Sequence, residues 1–197
     1  MKKVICLGFV CFFLLSCTKN GKEAQIKASP SETAKMYSVS RNDQIVQEVQ
    51  KEVVEFAQQL DKEYLTKEEI QFAKDTFAIH LKNQKRQEYD PSTEGMNNAV
   101  LEMTEAYQKL MDKYYLLLRN AVNDTDKVAL ETAQKKWQDY STSEKIFQEI
   151  MQNPQYNSGG NLQSNITLGN YFDLIKTRTE QLFSHYNSIV EKKESEE

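Results

Sequence analysis

Apolar residues recur three or four positions apart through most of the chain from Ser40 onward, and this period is typical of amphipathic α-helices. The stripe that contains Ile45 and Val49 predicts a first helix, with Ser40 as its N-cap. A capping-box sequence from Thr66 to Glu69 predicts the start of a second helix. We therefore expect two helices between residues 40 and 90.

Three more apolar stripes follow the break at Tyr89–Ser92, where Pro91 disfavours a helical conformation for the residue before it. The stripes predict three helices that begin near these residues: Thr93 or Met96, then Asp124 or Thr125 as a cap, then Asn165 as a cap. The fourth helix has the most regular stripe: Leu130, Ala133, Trp137, Tyr140, Glu144, Phe147 and Met151. Such a stripe is typical of the buried face of a helix.

No segment combines period-two alternation, β-branched residues and turn signals, so the sequence predicts no β-strand. Five helices with short connections predict an all-α fold, an antiparallel helix bundle of about five helices without disulfides. The predicted order along the chain is a signal peptide (1–16), a lipidated cysteine with a flexible tether (17–39), an N-terminal helical pair (40–90), a second helical domain (93–190) and a charged tail (191–197).

The first residues have the features of a bacterial export signal. Lys2 and Lys3 precede an apolar stretch of 12 residues that ends at Leu15, which is shorter than the ~20 residues of a transmembrane helix. The sequence Leu14-Leu15-Ser16-Cys17 resembles the bacterial lipobox, in which a small residue precedes a lipidated cysteine. We therefore expect residues 1–16 to be removed and Cys17 to be the lipid-attachment site.

The resemblance to bacterial lipoproteins implies a diacylglyceryl group on Cys17 and often an N-acyl chain such as palmitate. Two or more acyl chains hold a protein firmly at a membrane. The polar segment from Thr18 to about Ser38 is then a flexible tether. The expected localisation is therefore the bacterial cell envelope. In some diderm bacteria an Asp after the lipidated cysteine signals retention at the inner membrane. Thr18 stands at that position here, so the outer membrane is favoured if the organism is diderm.

Charge and cysteine content narrow the classes of function. Of 25 Lys and Arg, two leave with the signal peptide, so 23 basic side chains face 29 acidic ones and the net charge is −6. This balance argues against nucleic acid as a partner. Cys17 is the one cysteine that remains, which excludes an intrachain disulfide framework and any cysteine-rich metal site.

The predicted bundle contains no arrangement typical of a catalytic site. Neither His80 nor His185 lies in a recognised motif, and we expect each to be partly buried or on the surface, with His185 on the apolar side of the fifth helix. Gly159-Gly160 follows no strand, so it does not indicate a phosphate-binding loop. We therefore predict no enzyme activity, no cofactor and no metal site.

Two charged residues interrupt the apolar stripes of the last two helices. Glu144 lies between Tyr140 and Phe147, and Arg178 lies four residues from both Leu174 and Leu182. Because these helices are joined by one loop and are expected to be antiparallel, a Glu144–Arg178 pair is predicted. The pair either fixes the register of the two helices or forms a polar patch at a binding surface.

Several short blocks recur in order through the last three predicted helices. They are Met96-Asn97; Met111-Asp112 with Tyr115 and Leu118; Ala133-Gln134-Lys135-Lys136-Trp137 with Tyr140, Glu144 and Phe147; Gly159-Gly160; and Leu174 with Arg178 and Leu182. Together they resemble the E-M-N-x-C, L-N-x-x-Y-x-x-L, A-Q-R-x-W-x-x-[FY]-R-D-x-E-C, G-G-S and L-T-x-x-R blocks of the LprI-like lysozyme-inhibitor family. The resemblance covers residues 93–190.

The chain departs from this family pattern at its cysteines. The half-cystines of the family would fall near Ala99, Lys145 and Asn170, and none is present. The family's R-D pair is Ser141-Thr142 here. The absence of all these cysteines is consistent with a bundle that is held together by packing alone.

The resemblance implies an envelope protein that binds lysozyme and inhibits it, or a relative with another protein partner. An acidic protein attracts lysozymes, which are generally basic. An inhibitor also needs a protruding loop, and the candidate is Gln155–Ser164, with Tyr156, Asn157, Gly159 and Gly160. Alternatively this loop only connects two helices, and the chain is a structural or adhesive surface lipoprotein that binds another envelope or host protein. Trp137 poses a similar choice between core packing and binding, with core packing favoured.

Overall fold

A computed structural model of the chain describes residues 30–60, 62, 64–156 and 162–196, with side chains from residue 41 onward. The described residues form no strand and five α-helices: α1 (Pro30–Gln59), α2 (Lys67–Tyr89), α3 (Thr93–Ala121), α4 (Asp124–Met151) and α5 (Leu162–Glu194). The predicted all-α class is therefore confirmed. The chain divides into two units, residues 1–37 and 38–197, and the contacts described below all lie in the second.

Successive helices run antiparallel, as predicted, and this order makes α3 and α5 parallel. Near the start of both helices, Asn97 donates a hydrogen bond to Ser164 (3.0 Å). Further along both, the hydroxyl of Thr179 lies 3.4 Å from the carbonyl oxygen of Tyr107. The antiparallel pairs are shown by Asn42–Arg86 and Phe56–Phe77 for α1 and α2, by Asp75–Lys113 and Arg86–Glu102 for α2 and α3, and by Met111–Gln134 and Arg119–Glu131 for α3 and α4.

The parallel pair α3 and α5 forms the centre of the bundle. Two clusters of buried side chains lie between these helices: Leu110, Met111, Tyr114, Leu118 and Leu182 in one, and Met103, Tyr107, Phe172 and Ile175 in the other. From α2, Phe72 stacks on Phe183 with ring centroids 4.0 Å apart. The apolar stripe of the third helix (Val100, Met103, Tyr107, Leu110, Tyr114 and Leu117) predicts such a buried face, and α3 supplies most of the buried apolar side chains.

Polar side chains fix the starts of α2, α3 and α4. The capping box of α2 is confirmed, because the Glu69 N–H donates to the Thr66 hydroxyl and the Glu69 carboxylate accepts from the Thr66 N–H. Ser92 caps α3 by accepting from the N–H of Gly95. A Cβ at Gly95 would overlap Asp90, so the tight link from α2 to α3 requires glycine there.

Three predicted helix starts are wrong. α1 begins at Pro30 rather than after Ser40, because proline is favoured at the first helical position and the polar residues that follow it are compatible with a helix. α4 is capped by Asn123 rather than by Asp124 or Thr125, because the Asn123 side-chain oxygen accepts from the N–H of Asp126 (3.0 Å). α5 begins at Leu162, so Asn165 lies inside it.

Candidate functional site

The side chain of Arg178 joins three helices that carry the family-like sequence blocks. Its Nε donates a hydrogen bond to Oε1 of Gln134 on α4 (2.9 Å), and its guanidinium lies 6.0 Å from the ring centroid of Trp137. The Nε2 of Gln134 in turn points to the sulfur of Met111 on α3 (3.9 Å). We call Met111, Gln134, Trp137 and Arg178 the Arg178 cluster. It fixes how α4 sits on α3 and α5.

The predicted Glu144–Arg178 pair is wrong. Glu144 lies ten residues after Gln134, which is about 15 Å along α4. It accepts a hydrogen bond from Gln148 of its own helix (3.1 Å). Among the described residues no carboxylate forms a salt bridge with Arg178, and burial lowers the pKa of this guanidinium. Periodicity correctly placed both residues on inner faces, but it does not determine the axial register of two helices.

Replacement of Arg178 by Met is expected to lower the free energy of unfolding by about 1–3 kcal/mol, because the buried Gln134 oxygen loses its donor. Urea unfolding followed by circular dichroism measures the change. The matched control is Arg119→Met, which removes an exposed ion pair with Glu131 and is expected to cost less than about 1 kcal/mol. Equal losses in the two variants would contradict a structural role for the Arg178 cluster.

The face that α4 buries differs from its predicted stripe. The buried or half-buried positions include Leu130, Gln134, Trp137, Ser141, Glu144 and Gln148. Tyr140 and Phe147 belong to the predicted stripe but are 53% and 55% exposed. The helix is therefore rotated so that Gln134 and Ser141 are buried beside Trp137, a member of the predicted stripe, and Arg178 engages both Gln134 and Trp137.

This rotation leaves a large apolar surface at the end of α4. Ile146, Phe147, Ile150 and Met151 are all exposed, and so is Tyr156 in the segment that follows. At 3.6 residues per turn the four helical side chains span a continuous band of about 140°. We call these four residues together with Tyr156 the α4 apolar end. Contiguous exposed apolar surface on a soluble domain is typical of an interaction site.

A groove runs between α3 and α4, with Tyr171 of α5 at its middle. It consists of two cavities of about 380 and 340 Å³, and both are lined by Tyr171 and Gln108. The Tyr171 hydroxyl accepts a hydrogen bond from Gln108 (3.3 Å), and the Lys145 ammonium lies 5.3 Å from the Tyr171 ring centroid. Most charged side chains of the walls are acidic: Glu105, Asp112 and Glu149, against Lys145.

The other predicted site residues are dispersed over the bundle or lie outside the described residues. Tyr115 packs against a core cluster and Asn97 binds Ser164, so these two family-motif positions serve helix packing. Met96 and Leu174 are half-buried. Cys17, Asn157, Gly159 and Gly160 lie outside the described residues. Of the four named residues of the candidate binding loop, the structure describes Tyr156, which is 57% exposed. The last residues of the predicted loop, 162–164, belong to α5.

The sequence interpretation overlooked Ile146 and Ile150. Both lie off the stripe of the fourth helix, so this helix carries apolar residues on two faces near its end. An amphipathic helix that is packed on one side leaves such a second face exposed. This signal was readable in the sequence.

The two histidines differ in their surroundings. The Nε2 of His80 lies 2.9 Å from the hydroxyl of Tyr107, which is buried in the core. Burial raises the pKa of Tyr107 to about 12. Burial also lowers the pKa of His80, and the positive charge of Lys176 lowers it further. His185 is exposed, so its predicted place on the apolar side of α5 is wrong. In the described part of the chain, no group of three or more His, Cys, Asp or Glu side chains is placed to hold a metal ion.

The fold is expected to lose stability as the pH falls from 7.5 to 5, in part through His80. Burial lowers the pKa of His80 in the folded state, so the unfolded chain takes up this proton at a higher pH than the folded protein does. The free energy of unfolding therefore decreases as the pH falls through the ordinary pKa of 6.5. His80→Gln should therefore flatten the dependence of the unfolding free energy on pH. The control is His185→Gln on α5, and an equal flattening in both variants would contradict the assignment.

Comparison with known proteins gives a match to a family model. The family model described as lysozyme inhibitor LprI matches residues 82–182, from the second half of α2 to the middle of α5. No match was found among curated proteins or among solved structures. The matched range contains the whole Arg178 cluster and the α4 apolar end.

None of the helices in the described residues is long and apolar enough to span a membrane.

Proposed function

The chain belongs to the LprI lysozyme-inhibitor family, whose model covers just over half of its residues, and on this basis we propose that it binds lysozyme and inhibits it. The family match carries the proposal. Because inhibitors of this kind act by binding, the protein performs no catalysis of its own. The acidic balance supports attraction to a basic partner: the net charge is −4 over the full chain and −6 without residues 1–16.

We propose the α4 apolar end as the surface that contacts lysozyme. Aromatic residues and Met are enriched in the cores of protein interfaces, where a few of them supply most of the binding energy. Phe147, Met151 and Tyr156 provide such side chains in a matched region that leads directly into the candidate binding loop. Tyr156 belongs to both, so the surface and the loop are continuous along the chain.

Lysozyme-driven clearance of a cell-wall suspension tests the inhibition. Purified protein at micromolar concentration is expected to slow the loss of turbidity, and an unrelated protein of the same net charge serves as the control for non-specific attraction. Specific inhibition should persist at a salt concentration that removes the effect of the control protein. No slowing by the purified protein would refute inhibition.

We also propose that the protein is held in the bacterial cell envelope by lipid on Cys17, at the outer membrane in a diderm organism. The support is the sequence Leu14-Leu15-Ser16-Cys17, which resembles a lipobox. Cells that express the wild-type chain should incorporate labelled palmitate into it, and cells that express Cys17→Ser should not. Wild-type chain without label would overturn the anchor.

The second candidate is a structural or adhesive lipoprotein that binds another envelope or host protein through the same surface. The observation that favours it is the absence of the family's half-cystines near Ala99, Lys145 and Asn170. This candidate predicts that the purified protein does not affect lysozyme, and that cells lacking the protein show altered envelope integrity or adhesion.

A further inference from the structure

A second regular stripe runs along the exposed side of α4. Its members follow one another at alternating steps of four and three residues, and all are exposed: Ala129, Ala133, Lys136, Tyr140, Ser143, Phe147 and Ile150. We call these residues the outer stripe. Steps that average about 3.5 residues are typical of the seam between two helices that coil around each other. The described part of one copy covers no member of the stripe, so the pattern indicates a helix contact with another molecule.

The sizes of the side chains along the outer stripe fit a second copy of the same helix. The first half of the stripe carries the small Ala129 and Ala133, and the second half carries the large Phe147 and Ile150. When two copies of α4 meet antiparallel with Tyr140 at a two-fold axis, Ala133 of one copy faces Phe147 of the other. Ala129 then faces Ile150. Each large side chain meets a small one at both ends of the contact, so the surface is complementary to itself.

The polar members of the stripe favour the same direction. In a parallel pair Lys136 would lie beside Lys136 of the second copy, and Phe147 beside Phe147, so the charges would repel and the sizes would not match. In the antiparallel pair the two Lys136 residues are about 12 Å apart along the helices, and each faces Ser143. A single polar residue in such a seam lowers stability but fixes the register of the helices.

The exposed area of this surface is sufficient for a reversible dimer. Tyr140, Phe147 and Ile150 are 53%, 55% and 51% exposed, and the adjacent Met151 is 39% exposed. Together these four side chains expose about 450 Å² on each copy. With the alanines and the stem of Lys136, the contact exceeds about 1,000 Å² over both copies, which is the lower limit for a specific interface. We therefore expect association in the micromolar range.

We propose that two copies of the chain associate through the outer stripe of α4, antiparallel, with Tyr140 at the two-fold axis. The dimer does not rest on lysozyme inhibition. Phe147 and Ile150 also belong to the α4 apolar end, so the dimer and the proposed lysozyme complex exclude each other at this surface. That consequence alone rests on the proposed function.

Sedimentation equilibrium of the purified protein, from low micromolar to millimolar concentration, tests the association. The mass should rise from one chain to two. Ala133→Glu should raise the dissociation constant at least about tenfold, because it buries a carboxylate opposite Phe147. Gln138→Glu is the matched control, since it makes the same change in charge at an exposed position of α4 outside the stripe. A monomer at every concentration, or an unchanged dissociation constant in Ala133→Glu, would overturn the proposal.

Disulfide trapping tests the direction of the pair. Tyr140→Cys and Ala129→Cys are each made in a chain whose own cysteines, Cys6, Cys11 and Cys17, are replaced by Ser. Mild oxidation should link two copies of the Tyr140→Cys variant, because both introduced thiols lie at the two-fold axis. The Ala129→Cys variant should stay unlinked, because its two thiols are about 33 Å apart in the antiparallel pair. Faster linkage of the Ala129→Cys variant would show another arrangement and refute the proposal.

Discussion

Replacement of Leu182 by Ala is expected to lower the free energy of unfolding by about 3 kcal/mol. Leu182 has 0% of its surface exposed and packs in the cluster that contains Leu110, Met111 and Tyr114. The substitution removes buried methylene and methyl groups and leaves a cavity that the surrounding helices fill only in part. Because α3 and α5 form the centre of the bundle, the loss weakens the contact on which the whole fold depends.

Urea unfolding followed by circular dichroism measures this loss. Leu116→Ala is the matched control, since Leu116 lies on α3 but is 55% exposed, and its replacement is expected to change stability by less than about 0.5 kcal/mol. Similar small changes in both variants would contradict the parallel packing of α3 and α5. If the dependence of the unfolding free energy on urea concentration (the m-value) decreased in both variants, unfolding would not be two-state.

The helices of the bundle were predictable because their signals are local. The capping box at Thr66, the break at Pro91 and the stripe through Tyr107 each act within a few residues, and the structure contains all three. The start of α1 was less predictable for a related reason. A polar segment without an apolar stripe resembles a linker in composition, whereas Pro30 and the helix-forming residues after it extend the helix.

The register of α4 was not predictable, because two neighbouring faces of this helix compete for burial. The predicted stripe contains Trp137, Tyr140 and Phe147. The contact of Arg178 with Gln134 selects a neighbouring face that keeps Trp137 at the seam and leaves Tyr140 and Phe147 exposed. A helical stripe shows which residues share a face, but only the partner helices determine which face is buried. The family-like blocks contain Gln134, Trp137 and Arg178, and the structure brings these three side chains together.

The apolar cavity of about 240 Å³ between α1, α2 and α3 had no signal along the chain for the same reason. Ala78, Ala99 and Ala106 lie on two helices and are unremarkable in sequence, since alanine is the most favourable helix residue. They leave a space only because the packing of α2 on α3 sets them opposite one another under α1. Sites that depend on small side chains from several helices become visible only when the helices are placed.

Replacement of Phe147 and Ile150 by Ser together is expected to raise the protein concentration that half-inhibits lysozyme by at least about thirtyfold. Buried hot-spot side chains contribute 2 kcal/mol or more to binding, and 2 kcal/mol corresponds to about that factor. Both side chains are more than half exposed in the free protein, at 55% and 51%, so their loss should leave the unfolding free energy nearly unchanged.

The matched control replaces Leu116 and Val128 by Ser, which are 55% and 64% exposed and lie on α3 and α4 outside the α4 apolar end. This control should inhibit lysozyme as the wild type does, because generic loss of surface hydrophobicity has no effect on a specific interface. Equal inhibition by the Phe147 and Ile150 double variant and by the wild type would move the contact surface away from the end of α4. Turbidity clearance measures inhibition in all three proteins, and thermal melting shows that each is folded, so a loss of inhibition by the double variant alone can come only from the missing contact.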